Sequence, residues 1–500
     1  MAEAYKIIGA LDEFALAREQ FGQLIADLQC EETLQWEHGE LEAYLSREGT
    51  ELLRRLLQGH LDLRARREVR REAVHGSDGV LRTHCRNGCE RGLMTLFGEV
   101  QVRRLGYGAR GHGSLYPLDG ELNLPGDRYS HGLRRRVSEE VSRSSFDEAL
   151  ERVDCTTGGK VPKRQAQALA KEVSADFEAF YETRGAGERE RTRDPLVLSV
   201  DGKGIVMRPE GLRETTRRAA QRARPKLKTR LSKGEKRNRK RMAMVAAVYS
   251  VAPHVRTGAQ IMGLEARPEQ PAPRPRRKRV WASVGREAQA VVEEAFAEAH
   301  ARDPGQIREW AVLVDGQEAQ LRHIVAAATR QEVEVTLVLD FIHVLEYLWK
   351  AAYGLHPEGS EEAERWVQER ALRILEGDSS QVAAGMRRSA TLRELSSEER
   401  ANVDKCADYL LKYRDMLRYD EYLRRGLPIA TGVIEGACRH LVKDRLDLTG
   451  ARWGLAGAEA ILKLRSLRSS GDFDRYWAFH ITESQKRQHL SRYADLGKAA

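Results

Sequence analysis

Three acidic residues in this chain have the type and setting for phosphodiester chemistry. Asp201 follows an apolar, β-branched run in "LVLSVDGKG", and Asp315 follows a second in "WAVLVDGQE", each as an Asp-Gly dipeptide. Glu435 stands early in the helical stretch "TGVIEGACRHLVKDRLDLTGARWGL". Open α/β sheets tend to hold their ligands in strand-end loops. Two strand-end aspartates and a helical glutamate suit a pair of Mg²⁺ ions roughly 3.5 to 4 Å apart, one activating a water or a 3′ hydroxyl and one stabilising the leaving oxygen. The plain alternatives are two Asp-Gly turns and a helix face on which Glu435, Arg439 and Lys443, four residues apart, support one another.

Such carboxylates need a sheet to position them. From 285 to 356 helical and strand patterns alternate: "GREAQAVVEEAFAEAHA", then strand "EWAVLVDG", helix "EAQLRHIVAAAT", strand "VEVTLVLD" and helix "FIHVLEYLWKAAYGL". Strands separated by helical crossovers predict a partly parallel sheet with helices packed on it. Upstream, "MAMVAAVYSV" and "AQIMGLEA" read as further strands. The basic runs beside them, Arg217 to Arg241 and "PRPRRKR" over 273–279, read as loops next to the sheet, solvated or touching nucleic acid. Residues 357–425 carry only helical pattern, and helices continue to about residue 485.

The N-terminal part differs. Residues 10–75 have helical periodicity and suit packing or dimerisation. Residues 80–128 read as a small β element, with "LMTLFGEVQVRRLGY" alternating over Leu96, Val100 and Val102. His84, Cys85 and Cys89 lie close together there, but a second ligand pair at zinc spacing is missing, which favours a turn with free thiols. Residues 129–183 read as consecutive helices. Ser145 and Glu148 make a capping-box pattern, and "CTTGGKV" is a glycine turn leading to a basic helix. This fits a helix-turn-helix with Lys163, Arg164 and Gln167 forward, and equally a plain helical bundle. The expected divisions are 1–78, 79–128, 129–185, 194–356, 357–425, 426–485 and a tail, 486–500.

Lys plus Arg number 84 against 75 Asp plus Glu, a formal charge of +9, which makes a nucleic-acid partner plausible. No window approaches the roughly 18 apolar residues of a membrane span. The first residues lack the pattern of a secretory signal, and six cysteines in 500 residues are too sparse for a disulfide framework. A cytoplasmic protein without a membrane partner is the expectation.

The local wording adds a resemblance. "SVDGKG", "LVDG", "LDFIHVLEYLW" and "GVIEGACRHLVKDRLDLTGARWGLAGAEAILKLRSLRSSGDFDRYW" resemble the ISKra-type family of bacterial insertion-sequence DDE transposases, of the Mutator-like group. With "LFGEVQVRRLGY" and "YSHGLRRRVSEEVSR", the likeness covers most of the chain. It implies an α/β fold: an RNase H-like mixed-sheet core interrupted by an all-helical insertion at 357–425, plus a mostly α N-terminal DNA-binding region with a small β element. By this resemblance Asp201, Asp315 and Glu435 are the catalytic metal ligands, holding two Mg²⁺ ions per site with Mn²⁺ as a substitute. Asp340 and His343 match the group's D-x-x-H signature, which implies a place near the metals or on the DNA strand. The alternative is a helix N-cap aspartate with a packed histidine.

Around this centre, Lys203 is expected to meet phosphate, with the glycines beside Asp201 leaving room for metal and phosphate. Arg439, Lys443 and Arg452 are expected to face DNA, as are Arg237, Arg239 and Lys240. Trp453 either stacks on an unpaired base or packs in the core. The implied function is a transposase, nucleoid-associated in a bacterial cytoplasm. It would bind terminal inverted repeats, nick the element ends and join them to target DNA as a homodimer or higher oligomer. The rivals are an RNase H-like nuclease without strand transfer and a non-catalytic, transposase-derived DNA-binding protein.

Overall fold

Every residue from 243 to 250 in the strand Lys240–Ser250 is buried. Neighbouring strand residues point to opposite faces, so the sheet holding this strand is covered on both sides. It belongs to one of two compact units, residues 181–473; residues 1–180 with 474–500 form the other. The structure, a computed structural model, describes residues 12–185, 189–222, 227, 229, 239–266, 271–448 and 450–494.

The sheet has five strands: β1 (Leu196–Val206), β2 (Lys240–Ser250), β3 (Arg276–Ser283), β4 (Trp310–Val314) and β5 (Val335–Leu339). Their spatial order is β5-β4-β1-β2-β3. β1, β2 and β3 are antiparallel neighbours, whereas β1 with β4, and β4 with β5, run parallel. Helix α1 (Ala288–Arg302) leads to β4, α2 (Glu318–Arg330) crosses from β4 to β5, and α3 (Phe341–Ala352) follows β5. The fold is therefore mixed α/β.

Helices alone follow: α4 (Glu361–Leu375), α5 (Ser379–Leu392), α6 (Ser397–Lys412) and the short Tyr419–Arg424. This is the expected helical stretch at 357–425. The chain then returns to the sheet as α7 (Gly432–Ala437), which continues through a wider, i→i+5 bonded turn at Cys438–Lys443 into Asp444–Leu446. Helix α8 (Leu455–Ser470) closes the edge at β3. Ser470 Oγ accepts from the Val280 amide at 3.0 Å, Ser466 Oγ accepts from the Ala282 amide at 3.3 Å, and Glu459 accepts from the amides of Val284 and Gly285.

The third strand lies where a loop was expected. "AQIMGLEA" contains the short helix Gly258–Ile261, and β3 begins inside "PRPRRKR". Arginines hid the strand because Arg279 is a core residue, 4% exposed. Its guanidinium bonds Glu298 and Glu294 at 2.5 and 2.9 Å and lies over the rings of Tyr181 and Trp281. A buried charge survives only with such partners.

In the other unit, His84–Thr95 and Gly98–Ala109 form a hairpin extended by His112–Leu115. Leu96 falls in the hairpin turn rather than in the alternation. Leu93, Val100 and Val102 pack with Leu61 of the long helix His38–Arg66. Three helices follow, His131–Arg143, Phe146–Thr156 and Lys163–Val173, and Ser145 and Glu148 form the expected capping box. The C-terminal helix Phe473–Gln488 was expected in the sheet region. From residue 474 it belongs to this unit, where His480 and Arg487 bond Asp176 and the Tyr476 hydroxyl bonds the Val173 carbonyl. Among the described residues no helix is long and apolar enough to cross a membrane.

Replacing Arg279 with Met takes from the buried Glu298 carboxylate the partner of Oε2, while Arg302 keeps Oε1, so the cost is expected to stay below the about 3 to 5 kcal/mol of an uncompensated buried charge. Chemical denaturation is expected to record a loss of about 1 to 3 kcal/mol in Arg279→Met, and a larger one in Arg279→Met/Arg302→Met, which leaves the carboxylate without either guanidinium.

Candidate functional site

β1 pairs with β4 only from Leu196 to Ser199. Beyond Ser199 the Val200 carbonyl is taken instead by the side-chain amide of Gln320, a buried residue of α2. The two strands part there, at the point where the strand order reverses, which is where open sheets form a ligand crevice. Asp201 and Asp315 each stand two residues past the last paired positions, Ser199 and Leu313, and so lie level on neighbouring strands. The last β4–β5 pair is Val314 with Leu339, which puts Asp340 level with Asp315. Asp201, Asp315 and Asp340 thus follow one another across three successive strands, β1, β4 and β5.

Asp201 does not end its strand. β1 continues to Val206 along β2, with Asp201 opposite Val245. The glycines beside it lie next to flexible, half-exposed side chains of β2. A Cβ on Gly202 would come 3.0 Å from the Met242 methyl, and one on Gly204 would come 2.9 Å from the Lys240 side chain. Asp201 Oδ1 accepts from its neighbour Gly202 at 2.6 Å, and Oδ2 accepts from the Cys438 thiol at 3.2 Å. Burial first, and then the Asp201 charge, push that thiol well up, so it stays protonated and donates.

Asp340 is wholly buried, at 0% exposure. Oδ1 accepts from the amides of Ile342 and Thr431, both at 3.2 Å. Oδ2 accepts from His343 Nδ1 at 2.6 Å and from Thr431 Oγ1 at 2.7 Å. A carboxylate has about four acceptor positions, so Asp340 is filled and orients its neighbours. Burial works against its charge, but the bonds from His343 and Thr431 outweigh it and hold the carboxyl below its ordinary range. The Asp340 hydrogen bond in turn raises His343 to about 8, so the imidazole is charged at neutral pH. Asp340 is the N-cap of α3, as one of the two readings of this pair had it, but its histidine is partly exposed rather than packed.

Asp340, His343 and Glu435 are the group of metal-capable side chains whose ligand atoms all lie within 4.8 Å of one another among the described residues. The expected trio of Asp201, Asp315 and Glu435 is not drawn together to that distance. Thr431 Oγ1 lies 2.7 Å from Asp340 and 3.2 Å from Glu435 Oε1, and its single proton serves the shorter contact. Glu435 is left facing hydroxyl lone pairs. Of this group Glu435 is the exposed carboxylate and the one open donor to a hard divalent cation, since Asp340 is filled and His343 is charged at neutral pH.

Asp315 lies in a loop pinned from several sides. Its Oδ1 accepts from the Gln317 amide at 2.9 Å, its carbonyl accepts from the Tyr409 hydroxyl at 3.2 Å, and the Gly316 carbonyl accepts from the Tyr413 hydroxyl at 2.5 Å. Asp315 Oδ2 receives no hydrogen bond among the described residues, and Asp315 lines a cavity of about 440 Å³ with His343, Tyr347, Lys405 and Lys412.

The remaining expected residues divide. Lys203, two residues past Asp201 in β1, is partly exposed, and Arg439, Lys443 and Arg452 are exposed. Arg439 stands 3.6 Å from Asp444. Trp453 is not available for stacking: it is 8% exposed, donates Nε1 to the Leu446 carbonyl, and pairs by backbone with Val206 and Arg208. Of its two readings, packing is the observed one. Lys240 opens β2 and bonds Asp447 at 3.0 Å, Arg239 precedes it with its carbonyl on the Met207 amide, and Arg237 lies outside the described residues. Lys163, Arg164 and Gln167 lie exposed on one helix whose other face is buried, and Lys163 bonds Asp147 at 2.6 Å. Cys85 and Cys89 sit in a strand with a bulge between Arg86 and Cys89. Sequence reasoning missed Thr431 and Cys438. Their only signal was position on the helix of Glu435, four residues before it and three after.

No protein-family model and no curated protein matches the chain.

The charged form of His343 is favoured by folding, so its contribution to stability is present below pH 6.5 and is lost as pH rises through about 8. NMR titration of His343 is expected to give a midpoint near 8, moving back toward 6.5 in Asp340→Asn; an unchanged midpoint would refute the pairing.

Proposed function

We propose that the chain is a DNA transposase of an insertion sequence, built on an RNase H-like core, which nicks element ends and joins them to target DNA. The observation that carries this reading is the level placement of Asp201 and Asp315 on parallel strands at the reversal of strand order. Supporting it, the helix of Glu435 is tied to both sides of that crevice, to Asp201 through Cys438 and to Asp340 through Thr431.

In this reading Asp201, Asp315 and Glu435 hold two Mg²⁺ ions, with Mn²⁺ as a substitute, and these supply polarisation of the scissile phosphate and an oxygen nucleophile at neutral pH. His343, fixed by Asp340 through Nδ1, keeps its Nε2 proton for a phosphate or leaving oxygen. Lys203, Arg439, Lys443 and Arg452 balance the backbone charge of the DNA. Lys163, Arg164 and Gln167 read the terminal repeat. Two element ends must be held together for concerted joining, so the active form on DNA is at least a dimer; sedimentation of the protein on paired ends is expected to show this, and a monomer there would contradict it.

The test is a strand-transfer assay with duplex carrying the terminal inverted repeats. Nicked 3′ ends and joined products are expected with Mg²⁺, and Asp201→Asn, Asp315→Asn and Glu435→Gln each should lower the rate by about 10²-fold or more. Cleavage without joined product would make the protein a nuclease. DNA binding without metal-dependent cleavage would make it a non-catalytic DNA-binding protein.

A further inference from the structure

Four tyrosines of the helical insertion place their hydroxyls on the backbone at the ends of the two outer parallel strands. Tyr409 of α6 and Tyr413, the residue just after it, bond the carbonyls of Asp315 and Gly316, just past β4. Tyr419 and Tyr422 bond the carbonyls of Leu339 and Leu337 in β5, at 2.8 and 3.1 Å. β5 is the edge strand, so its outward carbonyls have no ladder partner and need one. The carbonyls of Asp315 and Gly316 lie beyond the ladder too, because β4 stops at Val314.

We infer that Tyr409 and Tyr413 are positioning residues for the Asp315 carboxylate, so that the insertion sets the geometry of the metal site. This rests on the proposed role of Asp315 as a metal ligand. The loop has few ways to move. Gly316 has a left-handed φ of +89°, and a Cβ there would stand 3.2 Å from the Tyr413 ring, so the turn and the ring fit as a pair. The Tyr409 ring stacks on Tyr347 of α3 at 4.0 Å with an interplanar angle of 9°, and meets Tyr413 edge-on at 5.1 Å. Tyr347 is one turn beyond His343, so the same aromatic stack braces the helix that carries the histidine. With both carbonyls held and Oδ1 on the Gln317 amide, Oδ2 of Asp315 is aimed by the loop. Burial raises the Tyr409 phenol far above neutral pH, which keeps it a donor.

The test compares Mn²⁺ binding to the full chain, by titration calorimetry, with thermal melting. Tyr422→Phe removes a hydroxyl of the same kind two residues before the end of β5 and serves as control. Tyr409→Phe/Tyr413→Phe is expected to weaken Mn²⁺ binding about 10- to 100-fold, the range seen when the partners of metal ligands are removed, while Tyr422→Phe binds as the unaltered protein does. Should the double variant fail to fold, Tyr409→Phe alone decides by the same comparison. Equal Mn²⁺ affinity in the unaltered protein and the Phe variants, or an equal loss in Tyr422→Phe, overturns this inference alone. An unaltered protein that binds no Mn²⁺ overturns the metal-ligand reading of Asp315 and this inference with it.

Discussion

The carboxylate of Asp340 gathers four hydrogen bonds from groups on two distant stretches of chain: Ile342 and His343 at the start of α3, and the amide and hydroxyl of Thr431 at the start of α7. A carboxylate at zero exposure costs several kcal/mol unless its acceptor positions are filled. The segment leading into Glu435 therefore has to arrive beside β5, and the backbone bond from Phe341 to the Ile429 carbonyl joins the same two stretches. The placement of Glu435, the charge on His343 and the approach of Cys438 to Asp201 all follow from that docking. Asp340 works through its neighbours and has no acceptor position left for anything else.

The sheet was legible where its physics is periodic. β1, β2, β4 and β5 appear in the sequence as apolar runs; Asp201 and Asp315 stood out as Asp-Gly after two of them, and Glu435 as a carboxylate early in a helical stretch. β3 was not legible, because half of it is basic, three arginines and a lysine, and the burial of Arg279 depends on Glu294 and Glu298, residues of a later helix. The continuation of β1 past Asp201 was hidden as well. Glycine is a poor strand former, and the pairing of Gly202 and Gly204 with β2 runs through the backbone ladder, which leaves no side-chain pattern to read.

The carboxylates of the candidate site were legible as candidates, and the groups that support them were not. Thr431, Cys438 and the tyrosines of the insertion are ordinary helix residues until the fold sets them against backbone carbonyls and carboxylates far away in sequence. Trp453 is a case the sequence left open between stacking and core packing; its backbone and indole are both bonded within the protein, to Val206, Arg208 and Leu446. Spacing along a chain reports what shares an element. It says little about which remote group that element will satisfy.

The two rims of the sheet bear on what can assemble with it. On the β3 side, Ser466, Ser470 and Glu459 occupy outward backbone groups; on the β5 side, the phenols of Tyr419 and Tyr422 do. An open sheet ordinarily offers such rims to a visiting strand, which is how many proteins capture peptides or aggregate. Here those positions are already satisfied from within the same unit, so β-augmentation is closed off where these side chains sit. Any neighbour joining this unit at those rims has to be recognised through side chains.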